Sequence, residues 1–144
     1  RQVMPEHVNA KLGDFEPSIA ADARWPIGLG LLINGKWGRG KTHLAAAVAR
    51  HAIVAGESVV FGMARDLLRR IRDTYNPAAT ETTEHVLGTL HEILSKRIGF
   101  ERPTIITTNL PTSAIEEFYL GAIASRVALL RPITLVGEDR RQRG

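Results

Sequence analysis

Residues 35–42 of the sequence are Gly35-Lys36-Trp37-Gly38-Arg39-Gly40-Lys41-Thr42. They fit the phosphate-binding loop pattern G-x-x-x-x-G-K-[ST] at every fixed position. A short apolar run at 29–34 comes before the motif and predicts a β-strand, and an Ala-, Leu- and Val-rich run at 42–54 follows with helical spacing. Because a strand, a loop and a helix surround the motif in the right order, the stretch predicts a nucleoside triphosphate site.

Each fixed position of the motif has a chemical reason. Glycines let backbone N–H groups close around phosphate oxygens, and the positive end of the following helix faces the anion. Lys41 is expected to reach the β- and γ-phosphates, and the Thr42 hydroxyl to bind Mg²⁺. Arg39 either adds charge near phosphate or is a solvated surface arginine. The expected nucleotide-binding residues, for ATP or ADP, are Gly35, Lys36, Trp37, Gly38, Arg39, Gly40, Lys41, Thr42 and His43.

Size and composition favour one α/β domain in a reducing compartment. The chain has 144 residues and no cysteine, which excludes disulfides and thiolate metal sites and favours a cytoplasmic protein. No apolar run is long enough to span a bilayer, and the N-terminus lacks a signal-peptide pattern. The chain begins with Arg1, from which we expect a fragment or a processed polypeptide.

The chain divides into an irregular lead-in at 1–26 and a nucleotide-binding domain at 27–144. Phe15 in the lead-in is expected to be a core anchor. After the first helix, Ser58–Met63 predicts a second strand, and Arg65–Tyr75 predicts a helix with apolar residues on one side. The arginines Arg69, Arg70 and Arg72 lie largely on its other side, where they are either solvated or pair with a nucleic-acid backbone. The net charge of +4 permits the second interpretation.

The second half of the chain continues the alternation of helices and strands. Residues 81–90 and 91–98 predict two helices, the second ending near Gly99. Strands are predicted at Thr104–Asn109 and at Ile133–Val136. The resulting fold class is a three-layer α/β domain with a parallel sheet and helices on both faces.

Four separated segments resemble the AAA+ ATPases of the helicase-loader group, DnaC and DnaI, together with the related transposition ATPase IstB. Residues 40–47 resemble the phosphate loop of that group, including the histidine after the threonine, and residues 102–110 resemble its sensor 1 strand. Residues 123–127 resemble the arginine-finger segment, and residues 137–141 the sensor 2 segment.

The resemblance implies roles for three further residues. Asn109 would orient the attacking water, Arg126 would reach the ATP site of a neighbouring subunit, and Arg141 would contact phosphate within its own subunit. Each role has a structural alternative. In these alternatives Asn109 only forms a turn, Arg126 forms an ion pair on the helix surface, and Arg140 or Arg143 takes the place of Arg141.

The resemblance also implies ATP hydrolysis with Mg²⁺, self-association through the ATP site, a replicative helicase as partner, and binding to single-stranded DNA. Two alternatives stay open: an IstB-type ATPase assisting a transposase on duplex DNA, and a nucleotide-dependent scaffold without hydrolysis.

One segment of that family has no counterpart in this chain. Between the second strand and the sensor strand the family carries an apolar strand that ends in two acidic residues, which hold Mg²⁺ and polarise water. No acidic residue between 64 and 103 follows a strand-like run. Residues 81–90 and 91–102 resemble the helices on either side of the absent strand. We therefore expect a segment to be missing between Leu90 and His91.

Overall fold

A computed structural model describes residues 9–64, 66–67, 69–70, 83–110 and 121–137. Residues 64, 66, 67, 69 and 70 are helical, as the sequence predicts for this region. The other elements, in chain order, are a 3-10 turn (Leu12–Asp14), α1 (Pro17–Asp22), β1 (Gly30–Gly35), α2 (Lys41–Val54), α3 (Thr83–Gly99), β2 (Thr104–Thr108), α4 (Gly121–Val127) and β3 (Arg131–Leu135).

The three strands form a parallel sheet in the order β2-β1-β3. The strand before the phosphate loop is therefore central, with the strand from the second half of the chain on one side and the last strand on the other. Asn34 lies level with Thr108 of β2 and Thr134 of β3. This register brings the carboxyl ends of all three strands to the edge of the sheet from which the phosphate loop begins.

Helices cover both faces of the sheet, which confirms the predicted three layers. Side chains of a strand alternate between the two faces. Leu31 and Ile33 of β1 face the cluster that contains Leu44 and Val48 of α2. Leu32 faces the opposite cluster, to which α3 and α4 contribute Leu94, Ile123 and Val127.

The phosphate-loop helix α2 is buried on more than one side. Its buried residues are Leu44, Ala45, Ala46, Ala47, Val48, Ala49 and Ala52. Ala46 and Ala47 face away from the sheet and pack with Ala10, Leu12 and Phe61. The guanidinium of Arg50 donates to the carbonyl oxygen of Ala10 at 2.8 Å. Residues 9–26 of the lead-in, which the sequence predicts to be irregular, contain the 3-10 turn and α1. Through Ala10 and Leu12 they cover the outer side of α2.

The prediction of a strand at Ser58–Met63 is wrong, because these residues have no regular structure. A strand is stabilised by its hydrogen-bonded neighbour, and neither edge of the described sheet pairs with this segment. Phe61 packs against the core while Val60 and Met63 are exposed. The β-branched sequence is suited to a strand, but the chain offers it no partner among the described residues.

The prediction of two helices that meet at Leu90 and His91 is also wrong, since α3 runs without interruption from Thr83 to Gly99. Leu87, Leu90 and Leu94 recur at helical spacing and contribute to one apolar cluster, which explains the continuity. The helix ends at Gly99, as the sequence predicts. A segment missing between Leu90 and His91 stays a prediction, because a helix through this junction says nothing of a longer polypeptide.

Replacing Gly30 with alanine is expected to destabilise the domain by about 3 kcal/mol or more. Gly30 has φ +134°, and a Cβ atom there would lie 1.8 Å from the carbonyl oxygen of Thr104, which is backbone and cannot rotate away. The midpoint of urea unfolding measures the effect. Gly13→Ala is the matched control, since nothing lies within 4 Å of its Cβ position. Equal midpoints for the two variants would contradict the described pairing of β1 with β2.

Candidate nucleotide-binding site

The phosphate loop begins where β1 ends, at Gly35, and finishes at the first residue of α2. Gly38 has φ +73° and Gly40 has φ +91°, and residues with a side chain rarely adopt this left-handed backbone. Gly40 is the N-cap of α2, so that the free N–H groups of the first helical turn point toward the loop. This geometry is suited to binding an anion at the positive end of a 14-residue helix.

Lys41 and Thr42 lie in the first turn of α2, where the sequence predicts phosphate and Mg²⁺ contacts. The Lys41 ammonium donates to the carbonyl oxygen of Lys36 at 2.7 Å and therefore lies across the loop. An ammonium group has three N–H donors, so this bond leaves Lys41 able to reach phosphate oxygens as well. The side chain is thus held at the loop by the loop's own backbone.

The variable positions of the loop differ in exposure. Trp37 is 72% exposed, and Lys36 is exposed as well. Arg39 is half-buried, and its Nη1 atom is shielded from water and has no hydrogen-bond partner in the described structure. The Arg39 guanidinium is therefore only partly solvated. A guanidinium nitrogen shielded in this way is suited to an anionic acceptor.

His43 binds the lead-in rather than facing solvent alone. Its Nε2 atom lies 2.8 Å from Asp14 Oδ2, and its ring contacts the ring of Phe15 with centroids 5.7 Å apart. Asp14 also accepts a hydrogen bond from the backbone N–H of Lys11 at 2.9 Å. Phe15 is buried in the core, as the sequence predicts. These contacts fix the lead-in against the helical turn that carries Lys41 and Thr42.

The pair of Asp14 and His43 predicts a loss of stability in acid. The hydrogen bond from His43, followed by that from the Lys11 amide, lowers the pKa of Asp14 below its ordinary value of 3.8. The Asp14 carboxylate therefore contributes to the free energy of unfolding at pH values above its ordinary pKa. This contribution is lost as the pH falls through the lowered pKa of the folded state. Because the carboxylate is 43% exposed, water screens the pair, and we expect about 0.5 kcal/mol.

Asp14→Asn therefore lowers the free energy of unfolding at pH 7 and leaves it unchanged at pH 2, measured by urea titration. Asp22→Asn is the matched control, since its carboxylate has no partner among the described residues. A deficit of Asp14→Asn that persists at pH 2 would show that the carboxylate's charge is not the cause.

Asn109 follows β2 directly and is exposed. Because Thr108 lies level with Asn34, Asn109 emerges beside the first residues of the phosphate loop. The backbone N–H of Leu110 donates to Thr108 Oγ1 at 3.1 Å, which shapes the turn that carries Asn109. The structure thus brings Asn109 to the same edge of the sheet as Lys41 and Thr42.

Arg126 lies on α4 and is half-buried within its own subunit. Its Nε atom donates to Ser95 Oγ of α3, and its Nη1 atom donates to the carbonyl oxygen of Ala122 at 3.0 Å. These bonds join α4 to α3 and keep the guanidinium near the protein surface. They neither include nor exclude a role in a neighbouring site.

The remaining predicted residues fall partly outside the described ranges. Arg69 and Arg70 are helical and exposed. Arg72 and Arg141 lie outside the described residues, as do residues 138–141 of the sensor 2 segment.

The donor that the sequence predicts for Mg²⁺ is the Thr42 hydroxyl, which lies in the described part of the chain. No group of three or more His, Cys, Asp or Glu side chains gathers there at metal-binding distance. A hydroxyl together with nucleotide phosphates and water fits the octahedral, oxygen-rich shell of Mg²⁺.

Sequence reasoning missed Asn34, the last residue before the motif. Asn34 is 2% exposed, and its Oδ1 atom has no hydrogen-bond partner in the described structure. The available signal was a polar residue that ends an otherwise apolar strand. No sequence signal indicated the contact of Asp14 with His43, 29 residues away.

Comparison with known proteins supports the same family. Residues 29–87 match the family model of the IstB-like ATP binding protein. The replicative helicase loader DnaC of Buchnera aphidicola subsp. Baizongia pistaciae (strain Bp) is 36% identical over 62 residues, which are 43% of this chain and 25% of that protein. The DnaC of subsp. Acyrthosiphon pisum (strain APS) is 31% identical over 62 residues, again 43% of this chain and 25% of that protein. The chain thus spans about a quarter of the length of these relatives.

Two solved structures share the fold. The crystal structure of the DnaC helicase loader aligns with a TM-score of 0.76 and 19% identity, over 92% of this chain and all of that one. The crystal structure of DnaI aligns with a TM-score of 0.68 and 21% identity, over 96% of this chain and 94% of that one. None of the described helices is both long and apolar enough to cross a membrane. By its phosphate loop, its parallel three-layer fold and these matches, the chain is similar to the DnaC and IstB family of AAA+ ATP-binding proteins.

Proposed function

We propose that the chain is an ATPase that loads a replicative DNA helicase onto single-stranded DNA during DNA replication, in the cytoplasm. The observation that carries this proposal is the phosphate loop, with left-handed glycines at 38 and 40, Lys41 held across it, and a shielded guanidinium nitrogen on Arg39. The helicase enters the proposal through the relatives named replicative helicase loader.

The residues of one subunit bind and orient the nucleotide in this proposal. The loop N–H groups and Lys41 hold the phosphates, Arg39 donates to a phosphate oxygen, and Thr42 binds Mg²⁺, which neutralises charge on the phosphates. Asn109, at the same edge of the sheet, orients the attacking water. Arg141 contacts phosphate from the same subunit.

In this proposal, subunits associate through the ATP site, and a residue of the neighbouring subunit completes the catalytic site. Arg126 of one subunit would approach the γ-phosphate bound by its neighbour and stabilise the charge that develops in the transition state. To do so its guanidinium has to exchange Ser95 for phosphate. Its half-buried position near the surface of α4 supports such an exchange.

Single-stranded DNA is proposed to lie along Arg69, Arg70 and Arg72, in the segment 65–75 that the sequence predicts to be a helix. Arg69 and Arg70 are adjacent and exposed, which is suited to pairing with successive phosphates. Such binding is independent of sequence and weakens steeply with salt.

Hydrolysis depends on the carboxylates of the absent strand. The intact mass of the purified polypeptide is the first test, because the sequence corresponds to 15.8 kDa. Excess mass that maps between Leu90 and His91 supports hydrolysis. A mass equal to 15.8 kDa would show that the polypeptide lacks the water-activating carboxylates, and would favour a nucleotide-dependent scaffold without hydrolysis.

Three measurements test the function itself: binding of a fluorescent ATP analogue, release of phosphate, and loading of the helicase. We expect nucleotide binding, phosphate release stimulated by single-stranded DNA, and transfer of a hexameric replicative helicase onto a closed single-stranded circle. Absence of nucleotide binding would refute the proposal as a whole.

Two alternatives each have an observation in their favour. The match to the IstB-like model over residues 29–87 supports an ATPase that assists a transposase, which requires preference for duplex DNA and assembly on it. The sequence between 64 and 103, in which no acidic residue follows a strand-like run, favours a nucleotide-dependent scaffold. A scaffold binds ATP without releasing phosphate.

A further inference from the structure

Two shielded side-chain atoms of the described structure lack a hydrogen-bond partner. One directly precedes the phosphate loop and the other lies within it. They are Asn34 Oδ1, directly before Gly35, and Arg39 Nη1, directly before Gly40. Phosphate accounts for the arginine nitrogen. It does not account for the amide oxygen, because both are hydrogen-bond acceptors. Leaving a buried acceptor unpaired destabilises a fold, so Asn34 requires an explanation of its own.

The direction of the Asn34 side chain follows from the alternation of β1. Ile33 faces α2, so Asn34 faces the other side of the sheet, with Leu32 and the helices α3 and α4. Thr108 of β2 and Thr134 of β3 are its register partners on that face. Thr108 is half-buried, whereas Thr134 is exposed.

Thr108 has the hydrogen-bonding capacity that Asn34 lacks. Its hydroxyl oxygen accepts the N–H of Leu110 at 3.1 Å, and its own O–H donates to no acceptor in the described structure. An unused donor and an unused acceptor thus lie on neighbouring strands, which are about 4.8 Å apart in a sheet. Side chains paired on one face of a sheet are close enough to interact.

The two residues belong to the two parts of the site that recognise the γ-phosphate. Asn34 leads into the phosphate loop, and the Thr108 hydroxyl shapes the turn that carries Asn109. We infer that Asn34 is a positioning residue that accepts a hydrogen bond from Thr108 when ATP is bound, and so holds the Asn109 turn against the γ-phosphate. The inference rests on the proposed ATP site and on the role of Asn109 in it. The hydrogen bond between Asn34 and Thr108 would connect the phosphate loop to the Asn109 turn, and through it the site would distinguish ATP from ADP.

The test is a double-mutant cycle of Asn34→Leu and Thr108→Val, with dissociation constants measured for fluorescent ATP and ADP. Each single variant is expected to lower the preference for ATP over ADP by about two- to tenfold, the effect of one net hydrogen bond. The double variant is expected to lose no more than either single one, because both changes remove the same bond. Thr134→Val, on the exposed side of Asn34, is the matched control and keeps the wild-type preference.

The melting temperature without nucleotide separates this role from a structural one. Leucine keeps the branched shape of asparagine and removes its unpaired oxygen, so Asn34→Leu is expected to melt about 2 to 4 °C higher while it discriminates less between nucleotides. A lower melting temperature would show that the amide has partners of its own and would overturn the inference. So would an unchanged preference in Asn34→Leu, or losses that add in the double variant. Wild-type protein that binds neither nucleotide would refute the ATP site itself, which is a different result from wild-type binding with no effect of the variants.

Discussion

Replacing Lys41 with alanine is expected to weaken ATP binding by about 100-fold, the loss that follows when charged hydrogen bonds to phosphate are removed. Lys41 already lies across the phosphate loop, with its ammonium 2.7 Å from the carbonyl oxygen of Lys36. Alanine removes both the positive charge and this bond to the loop backbone. Titration of a fluorescent ATP analogue at constant salt measures the loss.

The matched control for Lys41 is Lys96→Ala. Lys96 is an exposed lysine that pairs with Glu92 on α3, 3.0 Å away, so the change removes the same charge from another part of the protein. We expect Lys96→Ala to bind ATP with wild-type affinity. Both variants should keep the wild-type far-ultraviolet circular dichroism spectrum. An affinity within threefold of wild type for Lys41→Ala would contradict the assignment of the loop.

Replacing Arg126 with alanine is expected to leave ATP affinity unchanged and to reduce turnover by about a thousandfold. The expectation follows from a guanidinium that acts on the γ-phosphate of a neighbouring subunit and contributes little to ground-state binding. The structure supplies a rival explanation, because Arg126 also joins α4 to α3 through Ser95. Its loss could then reduce activity by loosening the two helices.

Ser95→Ala distinguishes the two explanations. It removes the partner of Arg126 on α3 and leaves the guanidinium in place. If Arg126 acts across subunits, Ser95→Ala keeps its turnover; if Arg126 only joins the helices, Ser95→Ala is as inactive as Arg126→Ala. Mixing Lys41→Ala with Arg126→Ala should restore part of the activity, because some sites then combine Lys41 of one subunit with Arg126 of the next. Equal loss of ATP binding in Lys41→Ala and Arg126→Ala would contradict the assignment of Arg126.

The elements around the phosphate loop could be predicted from sequence because local signals determine them. The apolar run of β1, the glycines of the loop and the alanine-rich helix α2 each specify their own backbone, and Gly56 follows the end of α2. The strand β2 was predictable for the same reason, from five consecutive β-branched residues.

The failures concern interactions between distant parts of the chain. Ser58–Met63 has strand propensity, but none of the strands in the described ranges pairs with it, and only the sheet topology reveals this. The continuity of α3 depends on leucines that face one cluster on both sides of the expected boundary. Likewise, the half-buried state of Arg39, the unpaired oxygen of Asn34 and the bond of Arg126 to Ser95 arise from packing that no local pattern encodes.

The alanines of α2 have a consequence for mutational screens of this protein. With Ala45, Ala46, Ala47 and Ala49 buried, α2 has little room for larger side chains on several sides. Adding even a few methylene groups at these positions forces the helix to shift or neighbouring side chains to strain. Because Lys41 and Thr42 are carried on the same helix, a library of valine or leucine substitutions along α2 should yield variants defective in nucleotide binding. Their mutations would map up to two helical turns away from any phosphate contact, and a screen scored by activity alone would mistake them for active-site residues.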